Sequence, residues 1–166
     1  MNQIKLKERC EILSKIIINL AEIYNDINIS QDQKSFIETI IGAALWYLPS
    51  DKTLWTGEIS EEALKKLNET KKINGLTKDH IYPRKMAARE LLTDYLFKIK
   101  QSNTILMDLY INYYGKFVFV TGIENKRLIK HQKDKNFKNP YDAYNSSEIK
   151  LIKKTWNEIK PKKQSK

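Results

Sequence analysis

Two stretches decide how this chain reads: Thr77-Lys78-Asp79-His80-Ile81-Tyr82-Pro83-Arg84, and Phe117-Val118-Phe119-Val120-Thr121-Gly122-Ile123-Glu124-Asn125. Asn74-Gly75, a strong turn dipeptide, precedes the first stretch, and Leu76 and Ile81 give it the apolar positions of a short strand. Pro83 closes that strand, because it cannot donate a ladder hydrogen bond and it biases Tyr82 towards extended backbone. The apolar run 117–120 follows Gly115 and reads as a second strand. Thr121-x-x-Glu124 is a capping box, so a helix is expected from there to about residue 133, with Asn125 in its first turns. The local order is a strand bearing Asp-His, a connection, a strand, and a helix bearing Asn.

Working outward, residues 11–24 place Ile12, Leu13, Ile16, Ile17, Leu20, Ile23 and Tyr24 at helical spacing, and Asn25-Asp26 ends the run. Ser30-x-x-Gln33 is a capping box for a second helix over residues 31–48, stopped by Pro49. Its expected buried stripe is Phe36, Ile37, Ile40, Ile41, Ala44, Leu45 and Leu48. Residues 49–58 read as a loop, and Ser60 as the cap of a short helix through Leu67. A helix is predicted over 84–98, with Ala87, Ala88, Leu91, Leu92, Tyr95 and Leu96 inward. Residues 105–114 fit either helix or strand. Asn139-Pro140 breaks the chain, and 147–159 reads as a last amphipathic helix before a Lys-rich tail. Trp46, Trp55, Trp156 and most of the tyrosines fall in patterns expected of core packing. The sum is an α+β, mainly helical fold.

Composition narrows the function. The single cysteine, Cys10, excludes intrachain disulfides and multi-cysteine zinc sites, so no zinc is expected and a reducing, cytoplasmic setting is. The N-terminal segment is broken early by Lys5, Lys7, Glu8, Arg9 and Glu11, unlike a signal peptide. Its most apolar windows, 12–21 and 36–48, are shorter than the ~20 residues of a membrane span, so no membrane partner is expected. Residues 1–75 carry 10 Lys/Arg and 11 Asp/Glu, whereas 76–166 carry 20 and 9. The cationic field therefore sits on the half that holds both diagnostic stretches, and a polyanion, most commonly nucleic acid, is its natural partner.

The chemistry of the two stretches agrees with that partner. Hydrolysing a phosphodiester takes a deprotonated water and charge relief at the leaving oxygen, and a divalent ion held by oxygen donors supplies the relief. Asp79 offers a carboxylate and Asn125 a neutral amide oxygen, a sparse donor set that suits Mg2+ (or Mn2+) with its retained waters. His80 is the candidate general base, its imidazole mostly neutral at physiological pH. Neighbouring strand residues point to opposite faces, so Asp79 and His80 converge only where the strand bends or ends. Each residue also has a plain structural explanation: Asp79 as a turn cap or ion-pair partner, His80 as a surface histidine, Asn125 as an early-helix hydrogen bonder.

Asp79-His80-Ile81-Tyr82-Pro83 resembles the first strand of HNH endonucleases, members of the His-Me finger or ββα-metal superfamily. Val118-Phe119-Val120-Thr121-Gly122-Ile123-Glu124-Asn125-Lys126-Arg127 resembles their second strand and metal-binding helix, and the nearest likeness is to the HNH domains of RNA-guided CRISPR nucleases. The resemblance covers about residues 76–133. It implies a small ββα-metal finger embedded in a helical domain, with Asp79 and Asn125 as metal ligands and His80 as base. The asparagine that orients the base in that family has Asn112 as its nearest counterpart here. His131 is a further ligand candidate, followed by Asp134. Arg84, Lys85 and Arg89 after the first stretch, and Lys126 and Arg127 beside Asn125, are candidates for phosphate contact.

The expected organisation is a helical N-terminal region at 1–75, a nuclease core with a helical insertion at 76–144, and a C-terminal helix with a basic tail at 145–166. The expected activity is metal-dependent cleavage of DNA, as in a stand-alone restriction or phage-defence enzyme, with a homodimer formed through the N-terminal helices. Two other functions fit the same residues: a non-catalytic basic nucleic-acid-binding protein, and an RNA-cleaving toxin.

Overall fold

The computed structural model describes residues 1–133, 137 and 139–160. In chain order its elements are α1 (Gln3–Tyr24), α2 (Gln31–Trp46), β1 (Trp55–Ser60), α3 (Glu61–Thr70), β2 (Thr77–His80), α4 (Arg84–Leu92), α5 (Leu96–Gln101), α6 (Ile105–Leu109), β3 (Phe117–Val120), α7 (Gly122–Leu128), α8 (Asp142–Ser146), β4 (Leu151–Lys153) and α9 (Trp156–Ile159). The fold is α+β and mainly helical, with one four-stranded sheet. The chain divides into two compact units: Met1–Leu54 with Tyr82–Lys116, and Trp55–Ile81 with Phe117–Lys166. Both boundaries expected from the sequence, at 75/76 and 144/145, fall inside the second unit. Residues 82–116, expected as an insertion in the nuclease core, belong to the first unit with α1 and α2. Among the described residues no helix is long and apolar enough to cross a membrane.

The first unit is helical. Asn2 caps α1 by accepting from the Lys5 N–H, and Ser30 with Gln33 forms the full capping box of α2. α1 buries Leu6, Cys10, Leu13, Ile17, Ala21 and Tyr24, and α2 buries Ile37, Ile41 and Leu45. α4 packs closely on α2: a Cβ on Gly42 would lie 3.2 Å from the Arg84 carbonyl oxygen, tighter than ordinary packing allows. Inside this contact the Glu38 carboxylate, only 1% exposed, accepts hydrogen bonds from Tyr24 Oη at 2.7 Å and from Arg89 Nε and Nη2 at 2.8 and 3.2 Å. A second carboxylate, Glu90, accepts from Tyr114 Oη at 2.8 Å and from Tyr82 Oη.

Several expectations change in this unit. Ile12, Ile16 and Ile23 of α1 and Phe36 and Ile40 of α2 are exposed, so each helix carries more apolar surface than the unit's core covers. Trp46 is half in solvent, with the Arg84 guanidinium 4.3 Å over its ring. The predicted single helix at 84–98 breaks after Leu92 and resumes as α5. Residues 105–114 are helical throughout, α6 running into a π-helical turn at Tyr110–Tyr114.

The second unit is built on the sheet, in strand order β2-β3-β1-β4. β3 lies inside it, buried at all four residues, parallel to β1 and antiparallel to β2. Its Val118 and Val120 face a cluster with Leu128, Ala143, Tyr144 and Ile149. Phe117 and Phe119 stack edge-on at 5.4 Å on the other side, and Trp55 lies 6.0 Å from Phe119 and 5.7 Å from Trp156. One buried carboxylate joins two helix starts: Glu124 Oε2 accepts from the Thr121 N–H at 2.8 Å, from Thr121 Oγ1 at 2.9 Å and from Ser60 Oγ at 2.7 Å. Ser60 Oγ in turn accepts the Ala63 N–H and so caps α3.

Part of the expected loop at 49–58 is strand β1, because Gly57, at φ +86°, forms an irregularity between Trp55 and Ile59 rather than a chain break. The expected helix at 147–159 is mostly absent. Glu148 takes a left-handed conformation at φ 54°, β4 pairs antiparallel with β1 through Ile59 and Ile152, and only Trp156–Ile159 is helical. α7 stops at Leu128, short of the expected residue 133.

Arg89→Ala leaves Glu38 buried with one neutral donor. It is expected to destabilise the protein by about 3 kcal/mol in a urea titration, as removing one member of a buried pair does. A loss below about 0.5 kcal/mol would place the pair with exposed ones.

Candidate metal and phosphodiester site

Asp79 and His80 are the last two residues of β2, and the chain bends at Ile81 and Tyr82 before Pro83. The strand ends at His80, and its register sets the two side chains on opposite faces of the sheet rather than on one. The register pairs Asp79 with Val118 and His80 with Phe117. Directly paired residues share a face, so Asp79 lies on the side of Val118 and Val120, while His80 and Lys78 lie on the side of Phe117 and Phe119. The His80 ring is half-buried, 6.5 Å from the Phe117 ring and tilted to it. Lys78 Nζ sits 4.9 Å over the same ring.

α7 is held against β2 on the Asp79 side. Leu128 packs into the Val118–Val120 cluster, and Asn125, half-buried, lies one turn before it on the same helical face. The capping box of Thr121 and Glu124 sets where that helix starts, and so which residue of it comes first to the sheet. Lys126 and Arg127 are exposed on α7 next to Asn125. His131 follows the helix, half-buried, its backbone N–H donating to the Leu128 carbonyl at 2.9 Å, and its Nε2 is buried with no hydrogen-bond partner among the described residues. Asp134 lies outside the described residues.

The Asp79 carboxylate is only 7% exposed. Tyr144 Oη donates to its Oδ2, and Gln132 Nε2 approaches Oδ2 at 3.1 Å and Oδ1 at 3.3 Å. Burial pushes the Asp79 pKa above the usual carboxylate range, and the two hydrogen bonds only partly offset it. Burial, and then the neighbouring Asp79 charge, raises the Tyr144 phenol far above its ordinary value, so it stays protonated and donates. An ionised carboxylate has about four lone-pair positions. The contacts from Tyr144 and Gln132 leave room for a bond to a cation, and a cation would relieve the cost of burying the charge.

Among the described residues no group of three or more His, Cys, Asp or Glu side chains is assembled for a metal. The donors expected from the sequence are the Asp79 carboxylate on β2 and the Asn125 amide oxygen on α7, which are hard oxygen ligands, with the His131 imidazole as a further candidate. The two oxygen donors, completed by water, would suit Mg2+ or Mn2+. Tyr144 and Gln132 escaped sequence reasoning because neither belongs to a periodic pattern or motif. Only the tertiary contact of α8 with the sheet brings Tyr144 to Asp79.

The remaining candidates lie in the helical unit. Arg84, Lys85 and Arg89, expected to meet phosphate, each hold α2: Arg84 stacks on Trp46, Lys85 Nζ donates to Ser35 Oγ at 2.7 Å, and Arg89 clasps Glu38. Arg89 donates Nε and Nη2 to the buried Glu38 carboxylate and Nη1 to Met86 Sδ, which gives it a structural role. Asn112, the proposed orienting residue, is exposed on the π-helical turn of that unit.

Comparison with protein-family models, with curated proteins and with solved structures finds no match.

The raised Asp79 pKa has a sign that can be tested. The folded state holds this proton more tightly than the unfolded chain, so the associated stability is present in acid and is lost as pH rises through the Asp79 pKa. Asp79→Asn removes the buried charge while keeping an acceptor for Tyr144. Its Tm is expected to exceed wild type at neutral pH by roughly 2–4 °C, the shift that ~1 kcal/mol produces in a chain of this size. The gap should close as pH falls towards ~3.9, the ordinary aspartate value. Thermal melts across pH measure this, and a variant less stable than wild type at pH 7 refutes it.

Proposed function

We propose that the sheet unit is an HNH-type endonuclease centre that hydrolyses DNA phosphodiester bonds in the cytoplasm. The observation that carries this reading is the placement of Asp79 on the face of the β2–β3 pair covered by α7, the helix bearing Asn125, in the order strand, strand, helix. Asp79 and Asn125 would hold a Mg2+ or Mn2+ ion, whose contribution when bound is to grip the scissile phosphate and relieve charge on the departing oxygen. His80, at the strand end, takes a proton from the attacking water. As the new P–O bond forms, the P–O3′ bond breaks and the leaving oxygen takes up a proton from solvent. Lys126 and Arg127, exposed beside Asn125, draw the backbone phosphates towards α7.

The reading is tested by incubating plasmid and phage-derived DNA with the full chain in Mg2+, in Mn2+ and in EDTA. Cleavage should require the metal and should fall by about 10²–10⁴-fold in His80→Ala, the range expected for loss of a general base. Asn125→Ala should raise the metal concentration needed for half-maximal cleavage. Salt-sensitive DNA binding with no cleavage in either metal would instead support the non-catalytic nucleic-acid-binding function. RNA cut in preference to duplex DNA would support the RNA-cleaving one.

A further inference from the structure

The helical unit carries apolar surface that its own core leaves uncovered. On α1, Ile12, Ile16 and Ile23 are 60, 40 and 56% exposed, and on α2 Phe36 and Ile40 are 66 and 41% exposed, followed by Tyr47 at the helix end at 73%. With exposed Asn19 and Ala43 included, both rows step 4-3-4: positions 12, 16, 19 and 23, and positions 36, 40, 43 and 47. That is the heptad spacing of helices that pack side by side along a seam. The buried rows of both helices point elsewhere, through Leu13, Ile17 and Tyr24 on α1 and Ile37, Ile41 and Leu45 on α2.

At 100° per residue each outer row is turned roughly 110–140° from the buried row of its helix. α1 and α2 run antiparallel, tied at one end by Arg9 donating to the Tyr47 carbonyl and at the other by Tyr24 donating to Glu38. On α1 the outer row lies beyond the side that meets α2 and away from the side, through Glu11, Ser14 and Ile18, that meets α5. On α2 it lies away from Ser35, Gly42 and Trp46, which meet α4, so both rows turn towards the shared groove and form one face. The exposed parts of Ile12, Ile16, Ile23, Phe36, Ile40 and Tyr47 together offer on the order of 700 Å² per copy, close to the ~800 Å² that each partner contributes to a standard interface. That area also exceeds the ~300–600 Å² that is typical of the largest apolar patch on a monomer.

We propose that this face binds a second copy of the chain, the two α1–α2 hairpins packing into a four-helix bundle. The surface that best complements two antiparallel heptad rows is another antiparallel pair with the same spacing, and a two-fold axis supplies one. Asn19 is the one polar residue among the eight row positions. A polar seam residue limits register and oligomer state at a cost in affinity, so it fits a defined dimer better than open-ended association. The inference uses only the helical unit and does not depend on the nuclease reading.

The test is light scattering coupled to size-exclusion chromatography on the full chain, with sedimentation to obtain Kd. Wild type is expected to be dimeric at about 10 µM, within the range that interfaces of this size support. Ile16→Glu combined with Ile40→Glu should be monomeric while keeping the helical signal and thermal transition, since both side chains are exposed. Asn19→Ile should tighten the dimer at least about 10-fold, because it removes the polar seam residue. A wild-type monomer at about 100 µM, a dimer that survives the double charge substitution, or a Kd indifferent to Asn19→Ile would each overturn the proposal. These readouts involve no cleavage, so a loss of nuclease activity leaves them unaffected.

Discussion

The pairing of β2 with β3 is the constraint on which the candidate site depends. β3 is buried at every residue and fixed from its other side by β1, so it offers β2 a rigid template. Side chains alternate along a strand. A one-residue slip would turn Asp79 out to the Phe117 side and bring His80 in under α7. The present register puts the acid on the covered face and leaves the imidazole at the strand end. Glu124 reinforces this from the far end of β3, because the carboxylate that starts α7 also grips Ser60 at the end of β1. The position of Asn125 relative to the sheet is thus set by a polar clasp as well as by Leu128.

The chemistry that this register assembles works against stability. A carboxylate with 7% exposure and only neutral donors around it is an unfavourable thing to bury. Elsewhere the protein handles the same problem differently: Glu38, equally hidden, is matched by the Arg89 guanidinium. Had Asp79 been selected for folding alone, a cationic partner or an apolar residue would serve better. A phenol and an amide hold this buried acid in place without neutralising it, and in the proposed function a cation would offset that cost.

What could be read from the sequence was what is encoded locally. The capping boxes at Ser30 and Thr121 form as the spacing predicts, since they involve residues three apart. The strand at 117–120 follows from an unbroken apolar run, and the end of β2 from Pro83. What escaped was set by contacts distant in sequence. Gly57 reads as a loop residue until β4 and β3 flank it. The alternation of Ile149 and Leu151 is hidden inside a helix-like pattern until Ile152 pairs with Ile59. The apolar rows of α1 and α2 looked like one wide core stripe, because hydrophobicity marks what needs covering without saying what covers it. Of the candidate site, the residue types on β2 and α7 were legible, whereas the Tyr144 and Gln132 contacts to Asp79 were not.

The same distinction bears on charge. The C-terminal half has a large cationic excess, but a formal charge counts towards an external polyanion only where nothing internal has claimed it. Arg89 is committed to Glu38, Lys150 to Glu61 and Lys154 to Glu158, while Arg84 and Lys85 are bent onto α2. The exposed pairs surrender little, since a phosphate can displace a solvated carboxylate, but the buried pair cannot be exchanged without unfolding its surroundings. The cations best placed for a phosphate in the proposed site are those of α7, Lys126 and Arg127, which stand in solvent next to the residue expected to hold the metal. A phosphate drawn there would arrive at the Asn125 end of the site. Attraction and chemistry would then share one short helix, whose start is fixed by Thr121 and Glu124.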